Sequence, residues 1–200
     1  PTRDGERVSK RILMVGAGVN QVGMIAKARE MGLFAIAMDG SAEAPGLMTA
    51  DVAEVADICD PEEVADCATR YRVDGLYPAA EWCVEAAAIA SEMLGLPGPS
   101  ALAGMRARNK LAVREALQAA GLPNPRFRGV TSLDEATEAL EHEIGLPAIV
   151  KPIDGNASRG VSRIDYVEDL PLAYAKARKQ SHAKKVLVEA YLEGDEFNVD

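Results

Sequence analysis

The sequence is poor in aromatic residues and cysteines and has no long apolar segment, and each shortage excludes a class of protein. Aromatic residues make up only 4% of the 200 residues while hydrophobic residues make up 48%, so the core is expected to be aliphatic. The three cysteines, Cys59, Cys67 and Cys83, form no CxxC pair. This excludes a disulfide framework and favours reduced thiols in a cytoplasmic protein.

Membrane and secretory signals are also missing. No segment approaches the roughly 20 apolar residues that cross a bilayer, and the first residues, PTRDGERVSKR, are charged and lack the apolar stretch of a signal peptide. Basic charge is scarce too, because the formal net charge is -9. This balance argues against a nucleic-acid partner, which requires clustered Lys and Arg. It allows a small phosphate ligand, which a few lysines and oriented backbone N–H groups can hold.

The first half of the chain alternates short apolar runs with helical segments. Strands are predicted at 11–15, 34–38, 52–55 and 75–79, with helices at 21–31, 61–70 and 84–94. This alternation predicts a Rossmann-like, doubly wound parallel sheet. The spacer LPGPS at 96–100 then interrupts the pattern, so domains are predicted at 1–98 and 99–200.

The second half follows a different pattern. Helices are predicted at 109–120, 133–143 and 170–180, and strands at 147–151, 161–164 and 185–190. Two strands separated only by the loop at 151–161 indicate an antiparallel hairpin. This half is therefore predicted to be an α+β domain.

A glycine loop follows the first predicted strand, where open α/β sheets bind ligands. It contains Gly16 and Gly18, but Gln21 stands where a dinucleotide fingerprint has its third glycine, and Gly23 comes two residues late. Asp39 ends the second strand at about the distance expected of a ribose-binding acid. A nicotinamide-dependent oxidoreductase therefore stays open as an alternative.

Four further features carry charge at places suited to ligand binding. Glu81 follows the fourth strand. It is either an acid that stabilises the start of a helix or a carboxylate on the substrate side. Lys110 begins a helix, where a cation is locally unfavourable unless an anion lies nearby. Lys151 ends a strand and precedes the loop DGNASRG, whose glycines allow close backbone approach to phosphates. This is not a Walker loop, because Val161 follows Gly160 where a lysine is required. Glu189 follows the apolar run 186–188 of the last predicted strand.

Taken in order, these pieces resemble the ATP-grasp superfamily, in its carbamoyl-phosphate-synthetase-like and carboxylate–amine ligase branch. The segments that carry the resemblance are GAGVNQVG, YPAAEW, NKLAVREALQAAGLPNPRF, PAIVKPIDGNASRGV and VLVEAYLEGDEFNVD. The resemblance implies a pre-ATP-grasp domain followed by the first half of an ATP-grasp domain, including the start of its last subdomain.

The resemblance also implies roles for individual residues. Lys110 and Lys151 would contact the phosphates of ATP, and Glu189 and Glu196 would bond the adenine amine and the ribose. The flexible loop would cover the terminal phosphates, and a hinge would flank the base. The implied ATP-binding residues are Lys110, Lys151, Gly155, Ser158, Arg159, Gly160, Glu189, Tyr191, Leu192 and Glu196, and the substrate-side residues are Gly16, Gly18, Asn20, Gln21 and Glu81.

In the family, the magnesium ligands and a basic catalytic group lie in later strands of the clamp. The resemblance therefore implies that catalytic and Mg-binding residues lie downstream of Asp200 and that the 200 residues alone are inactive. The implied activity is ATP-dependent ligation of a small-molecule carboxylate to a nucleophile through an acyl phosphate, in a protein that can form a homo-oligomer. A non-catalytic nucleotide-binding or docking module is the other alternative.

Overall fold

The computed structural model describes residues 9–155, 157–195 and 197. It divides into two compact units, Pro1–Arg108 and Asn109–Asp200. Within the described part, no helix is long and apolar enough to cross a membrane.

The first unit contains a four-stranded parallel sheet with strand order β3-β2-β1-β4. Its regular elements, in chain order, are β1 (Arg11–Val15), α1 (Val22–Glu30), β2 (Phe34–Asp39), β3 (Val52–Val55), α2 (Pro61–Tyr71), β4 (Gly75–Pro78), α3 (Val84–Leu94) and α4 (Ala101–Ala107). One face of the sheet packs with α2 and α3 and the other with α1. The predicted parallel α/β class is confirmed, and the sheet is covered on both faces as such sheets require.

Local signals explain where these elements begin and end. The Asp60 side chain accepts a hydrogen bond from the Glu62 N–H at 2.8 Å, and Pro61 occupies the first turn of α2. Gly95 ends α3 with a φ of 64°. The segment Pro45–Thr49, between β2 and β3, forms a short 3-10 helix.

The compact units divide after Arg108, later in the chain than the spacer at 96–100. Helix α4 follows that spacer and packs against α3, so it belongs to the first unit. Gly104 makes this approach possible, since a Cβ there would lie 2.5 Å from the Ala88 Cβ. Helix α4 was absent from the sequence prediction.

The second unit contains a four-stranded antiparallel sheet with strand order β5-β8-β6-β7. Its elements are α5 (Lys110–Ala119), β5 (Phe127–Val130), α6 (Leu133–Ala139) with a π-helical turn (Leu140–Ile144), β6 (Ala148–Pro152), β7 (Ser162–Ile164), α7 (Leu170–Gln180) and β8 (Val186–Ala190). The predicted hairpin is confirmed as β6 and β7. Strand β5 was not predicted.

The two faces of this sheet differ in character. Side chains alternate along a strand, so Ala148 and Val150 of β6 enter the core with α6 and α7, whereas Ile149 and Lys151 lie on the other face. On that second face Leu111 of α5 packs with Leu187. The second face therefore carries the charged side chains that sequence reasoning had singled out.

The three thiols of the first unit are expected to react very differently. Cys59 is exposed, while Cys67 and Cys83 are buried, and burial raises the pKa of Cys67 to about 12. The Cys83 thiol also donates to the Val15 carbonyl at 3.0 Å. We expect a thiol reagent to label one cysteine per native chain and all three in denaturant. Mass spectrometry that finds Cys67 labelled in the native protein would contradict this arrangement.

Candidate functional site

An ion cluster lies on the second face of the antiparallel sheet. Glu189 of β8 is only 5% exposed and forms an ion pair with Lys151 of β6. Arg114 of α5 contacts the same carboxylate, with 2.8 Å from Nε to Oε2 and 3.3 Å from Nη2 to Oε1. One buried carboxylate therefore lies between two cations that come from a strand and a helix.

This surrounding keeps Glu189 ionised. Burial by itself raises the pKa of the Glu189 carboxyl, but hydrogen bonds from Arg114 and Lys151 and their positive charges outweigh it. The net effect holds that pKa below its ordinary value of 4.5. Glu189 is therefore a hydrogen-bond acceptor at neutral pH, as the proposed contact with an amine requires.

Lys110 lies beside the glycine loop that follows β6 in the second unit. Its backbone N–H donates to the Ile153 carbonyl at 2.7 Å, and its Nζ donates to the Gly155 carbonyl at 2.6 Å. The start of α5 is fixed by Asn109, whose side chain accepts from the Leu111 and Ala112 N–H groups at 3.1 Å. The start of α5, where a lysine is unfavourable without a nearby anion, thus places the Lys110 ammonium against the loop that follows β6.

The loop after β6 has an unusual backbone. Positive φ angles occur at Gly155 (101°), Ala157 (52°), Ser158 (54°) and Gly160 (79°). Left-handed conformations are uncommon at residues other than glycine and often occur at functional sites. Ser158 and Arg159 are exposed on this loop.

Asp154 anchors the beginning of the loop. Its carboxylate accepts from the His182 N–H at 3.2 Å and from the Ala183 N–H at 2.9 Å. Burial raises the pKa of the Asp154 carboxyl, whereas hydrogen bonds from Ser181 and from these backbone groups lower it. The hydrogen bonds outweigh burial, so the pKa lies below its ordinary value. The loop is therefore tied to the segment between α7 and β8.

The predicted hinge follows β8 directly. The Tyr191 N–H donates to the Pro147 carbonyl at 3.0 Å, and the Arg163 guanidinium lies 4.2 Å from the Tyr191 ring centroid. Leu192 is 65% exposed. Glu196, the predicted ribose acid, lies outside the described residues.

The structure adds two residues that sequence reasoning missed on this face. Arg114 joins Glu189 across 75 positions, and its spacing of four residues from Lys110 on one helix face was a usable signal. Ile149 sits two residues before Lys151, so strand alternation places it on the same face as an apolar neighbour of the ion cluster.

In the first unit, the glycine loop that follows β1 is held by hydrogen bonds with neighbouring residues of the same unit. The Asp39 carboxylate accepts from the Ala17 N–H at 2.7 Å and from the Ser41 N–H at 2.9 Å. The Gly46 N–H donates to the Ala17 carbonyl at 2.7 Å, and Ala17 is fully buried. Asp39 and Ala17 are thus engaged in holding the loop, which argues against the dinucleotide interpretation.

The predicted substrate-side residues gather at the carboxyl edge of the parallel sheet, where β1 and β4 are neighbours. The Gln21 side chain spans this edge, because its Nε2 donates to the Ala79 carbonyl at 3.0 Å. Gly16, with a φ of 99°, leaves room for Ala80. Asn20 and Glu81 are exposed and Gly18 is half-buried. Among the described residues, no group of His, Cys, Asp and Glu side chains is placed to hold a metal ion.

Comparisons with known proteins agree with this architecture. A family model described as D-ala D-ala ligase C-terminus matches residues 116–200. The formate-dependent phosphoribosylglycinamide formyltransferase of Erythrobacter litoralis is 29% identical in an alignment of 195 residues that covers 92% of this chain and 48% of the relative. The chain thus spans about half the length of the curated relatives it matches.

Solved structures share the fold. N5-carboxyaminoimidazole synthetase of Staphylococcus aureus, complexed with ADP, has a TM-score of 0.76 at 21% identity, covering 96% of this chain and 50% of that one. The biotin carboxylase domain of Hydrogenobacter thermophilus 2-oxoglutarate carboxylase, with MgADP and bicarbonate, has a TM-score of 0.72 at 23% identity, covering 92% and 44%. The two sheets and these matches confirm the fold that the resemblance to the ATP-grasp superfamily implied.

Proposed function

We propose that these residues belong to an ATP-dependent carboxylate ligase and form part of its nucleotide site. The observation that carries the proposal is the convergence of Lys110, Lys151 and Glu189 on one side of the antiparallel sheet, next to a loop with left-handed backbone. Two cations and an ionised acceptor match the polar groups of ATP, whose phosphates are anionic and whose adenine carries an amine.

Each group has a distinct role in this proposal. Lys110 and Lys151 offset phosphate charge, and the loop at 155–160 supplies backbone N–H groups together with Ser158 and Arg159. Glu189 accepts from the exocyclic amine, and Ile149 offers an apolar surface to the base. Because the Tyr191 N–H is engaged with Pro147, the Leu192 amide is the hinge donor. Glu196 is proposed to bond the ribose.

Magnesium is proposed as the metal, on the basis of the solved relative that holds MgADP. Such an ion would neutralise phosphate charge during phosphoryl transfer. None of the residues described above is assigned to it.

The carboxyl edge of the parallel sheet in the first unit is proposed to bind the carboxylate substrate, through Gly16, Gly18, Asn20, Gln21 and Glu81. The co-substrate would be a small-molecule nucleophile. The free thiols suit a cytoplasmic setting, and a homo-oligomer is compatible with the ligase proposal.

Trapping of the acyl phosphate tests the activity. We expect the complete protein that contains these residues to release ADP when given ATP, magnesium, a small carboxylate and hydroxylamine, and to form the corresponding hydroxamate. Lys151→Met is expected to reduce both products by about 100-fold or more, since a phosphate-binding charge is lost. Arg128→Met, a surface arginine that pairs with Glu138 and Glu143, is the matched control.

Two results would redirect the proposal. Nucleotide binding without ADP release across a panel of carboxylates would favour a non-catalytic nucleotide-binding or docking module. Tighter binding of NADH than of an ATP analogue in direct titration would favour the oxidoreductase instead.

A further inference from the structure

Arg114 approaches Glu189 in a geometry that does more than balance charge. Its Nε donates to Oε2 at 2.8 Å and its Nη2 reaches Oε1 at 3.3 Å, so the guanidinium faces both carboxylate oxygens. Such two-point contacts fix the plane of a carboxylate as well as its position. Lys151, a single ammonium on a flexible stem, contacts only Oε1.

The guanidinium is itself held in place. Its Nη1 donates to the Asn124 side-chain oxygen at 3.3 Å, and the Asn124 amide donates back to the Arg114 carbonyl at 2.8 Å. The side chain of Arg114 is 24% exposed. Asn124, which follows α5, therefore fixes the guanidinium of Arg114, and Arg114 in turn fixes the carboxylate of Glu189.

A count of lone pairs shows what this leaves for a ligand. An ionised carboxylate offers about four acceptor positions, two on each oxygen. Lys151 and Arg114 Nη2 occupy Oε1, and Arg114 Nε occupies one position on Oε2. Counting the contacts made by the described residues, one acceptor position, on Oε2, is left.

We propose that Arg114 is a positioning residue that makes Glu189 selective for a purine with a 6-amino group over one with a 6-oxo group. The inference rests on the proposed function and deepens it. An amine at position 6 donates to the single acceptor on Oε2, while a 6-oxo group meets it with a second acceptor and is repelled. Without Arg114, the carboxylate turns toward Lys151 and its direction is no longer fixed.

The test compares ATP with inosine triphosphate, which carries the 6-oxo group. The ratio of their kcat/KM values, and the ratio of their binding constants, are measured for the complete protein and for Arg114→Met, Arg114→Lys and Asn124→Ala. We expect the unsubstituted protein to prefer ATP by about 10- to 100-fold, the range for one hydrogen bond to a charged group. Arg114→Met is expected to reduce that preference to within about threefold of unity, given the same bond.

Arg114→Lys separates orientation from charge. It keeps the positive charge but cannot face both oxygens, so we expect ATP binding to be partly retained while the preference for ATP stays low. A lysine variant with the full preference would overturn the inference, because charge alone would then be sufficient. Asn124→Ala keeps the arginine and loosens it, and is expected to give an intermediate preference.

The outcomes separate this inference from the proposed function. A protein that binds neither nucleotide contradicts the proposed function. A protein that prefers ATP equally with and without Arg114 contradicts only the inference. If Arg114→Met fails to fold, as judged by circular dichroism against the Arg128→Met control, the lysine and Asn124 variants decide the question.

Discussion

Replacement of Glu189 by leucine is expected to lower the free energy of unfolding by about 3–5 kcal/mol, the usual cost of breaking a buried ion pair from one side. Lys151 and Arg114 have side chains only 16% and 24% exposed. Without Glu189 they face each other as two cations with no anion between them. Urea unfolding followed by circular dichroism measures the loss.

The effect should depend on pH in one direction. The folded-state pKa of Glu189 lies below its ordinary value of 4.5, so its stabilising contribution is fully present above about pH 4.5. That contribution is lost as the pH falls through the folded-state pKa. The difference between the unsubstituted protein and Glu189→Leu is therefore expected to shrink in acid.

Two further variants make this prediction specific. Combining Glu189→Leu with Lys151→Met and Arg114→Met removes all three charges, and we expect most of the lost stability to return. Glu138→Leu, at a glutamate whose side chain is 58% exposed in a surface pair with Arg128, should change stability by less than about 1 kcal/mol. Equal losses for Glu189→Leu and Glu138→Leu would contradict the buried cluster.

Replacement of Gly46 by alanine is expected to destabilise the first unit by about 1–3 kcal/mol, as overpacking typically does. A Cβ at this position would lie 2.6 Å from the Ala17 carbonyl oxygen and 2.7 Å from Ile25 Cδ1. The Ala17 carbonyl oxygen belongs to the backbone and cannot rotate away on its own. Either the 3-10 helix Pro45–Thr49 or the glycine loop after β1 must therefore move. The 2.7 Å hydrogen bond from the Gly46 N–H to Ala17 would be strained as well.

Gly23→Ala provides the opposite control. Gly23 lies in helix α1, and a Cβ there would meet nothing within 4 Å. Alanine favours a helix over glycine by up to about 1 kcal/mol, so this variant should be neutral or more stable. Fluorescence of Trp82, the single tryptophan, follows unfolding of the first unit. A Gly46→Ala protein as stable as Gly23→Ala would contradict the close packing.

Much of the fold could be predicted from local sequence signals, because each has a strong physical cause. Short apolar runs marked β1 and β2, the first ended by Gly16 and the second by Asp39, and Asp60 with Pro61 marked the start of α2. These signals act over a few residues, so the sequence displays them directly. Strand β5 carried no such signal, because it contains Arg128 and Gly129 and is completed by pairing with β8.

The candidate site shows the same division. Lys110, Lys151 and Glu189 were singled out because each stands at the end of an element and together they resemble a family pattern. Arg114 was missed because its partner lies 75 positions away, and nothing in a helix sequence states which strand the helix will cover. Ile149 was missed because the alternation that puts it beside Lys151 matters only once the covered face is known.

The order of strands in the two sheets has a consequence for biosynthesis. All neighbours in the parallel sheet have left the ribosome once Pro78 emerges. In the antiparallel sheet, β5 and β6 both pair with β8, so their facing edges stay without a partner until Ala190 has been made. Exposed strand edges favour pairing with other chains, so the nascent second unit is most vulnerable to aggregation while residues 153–190 are being translated.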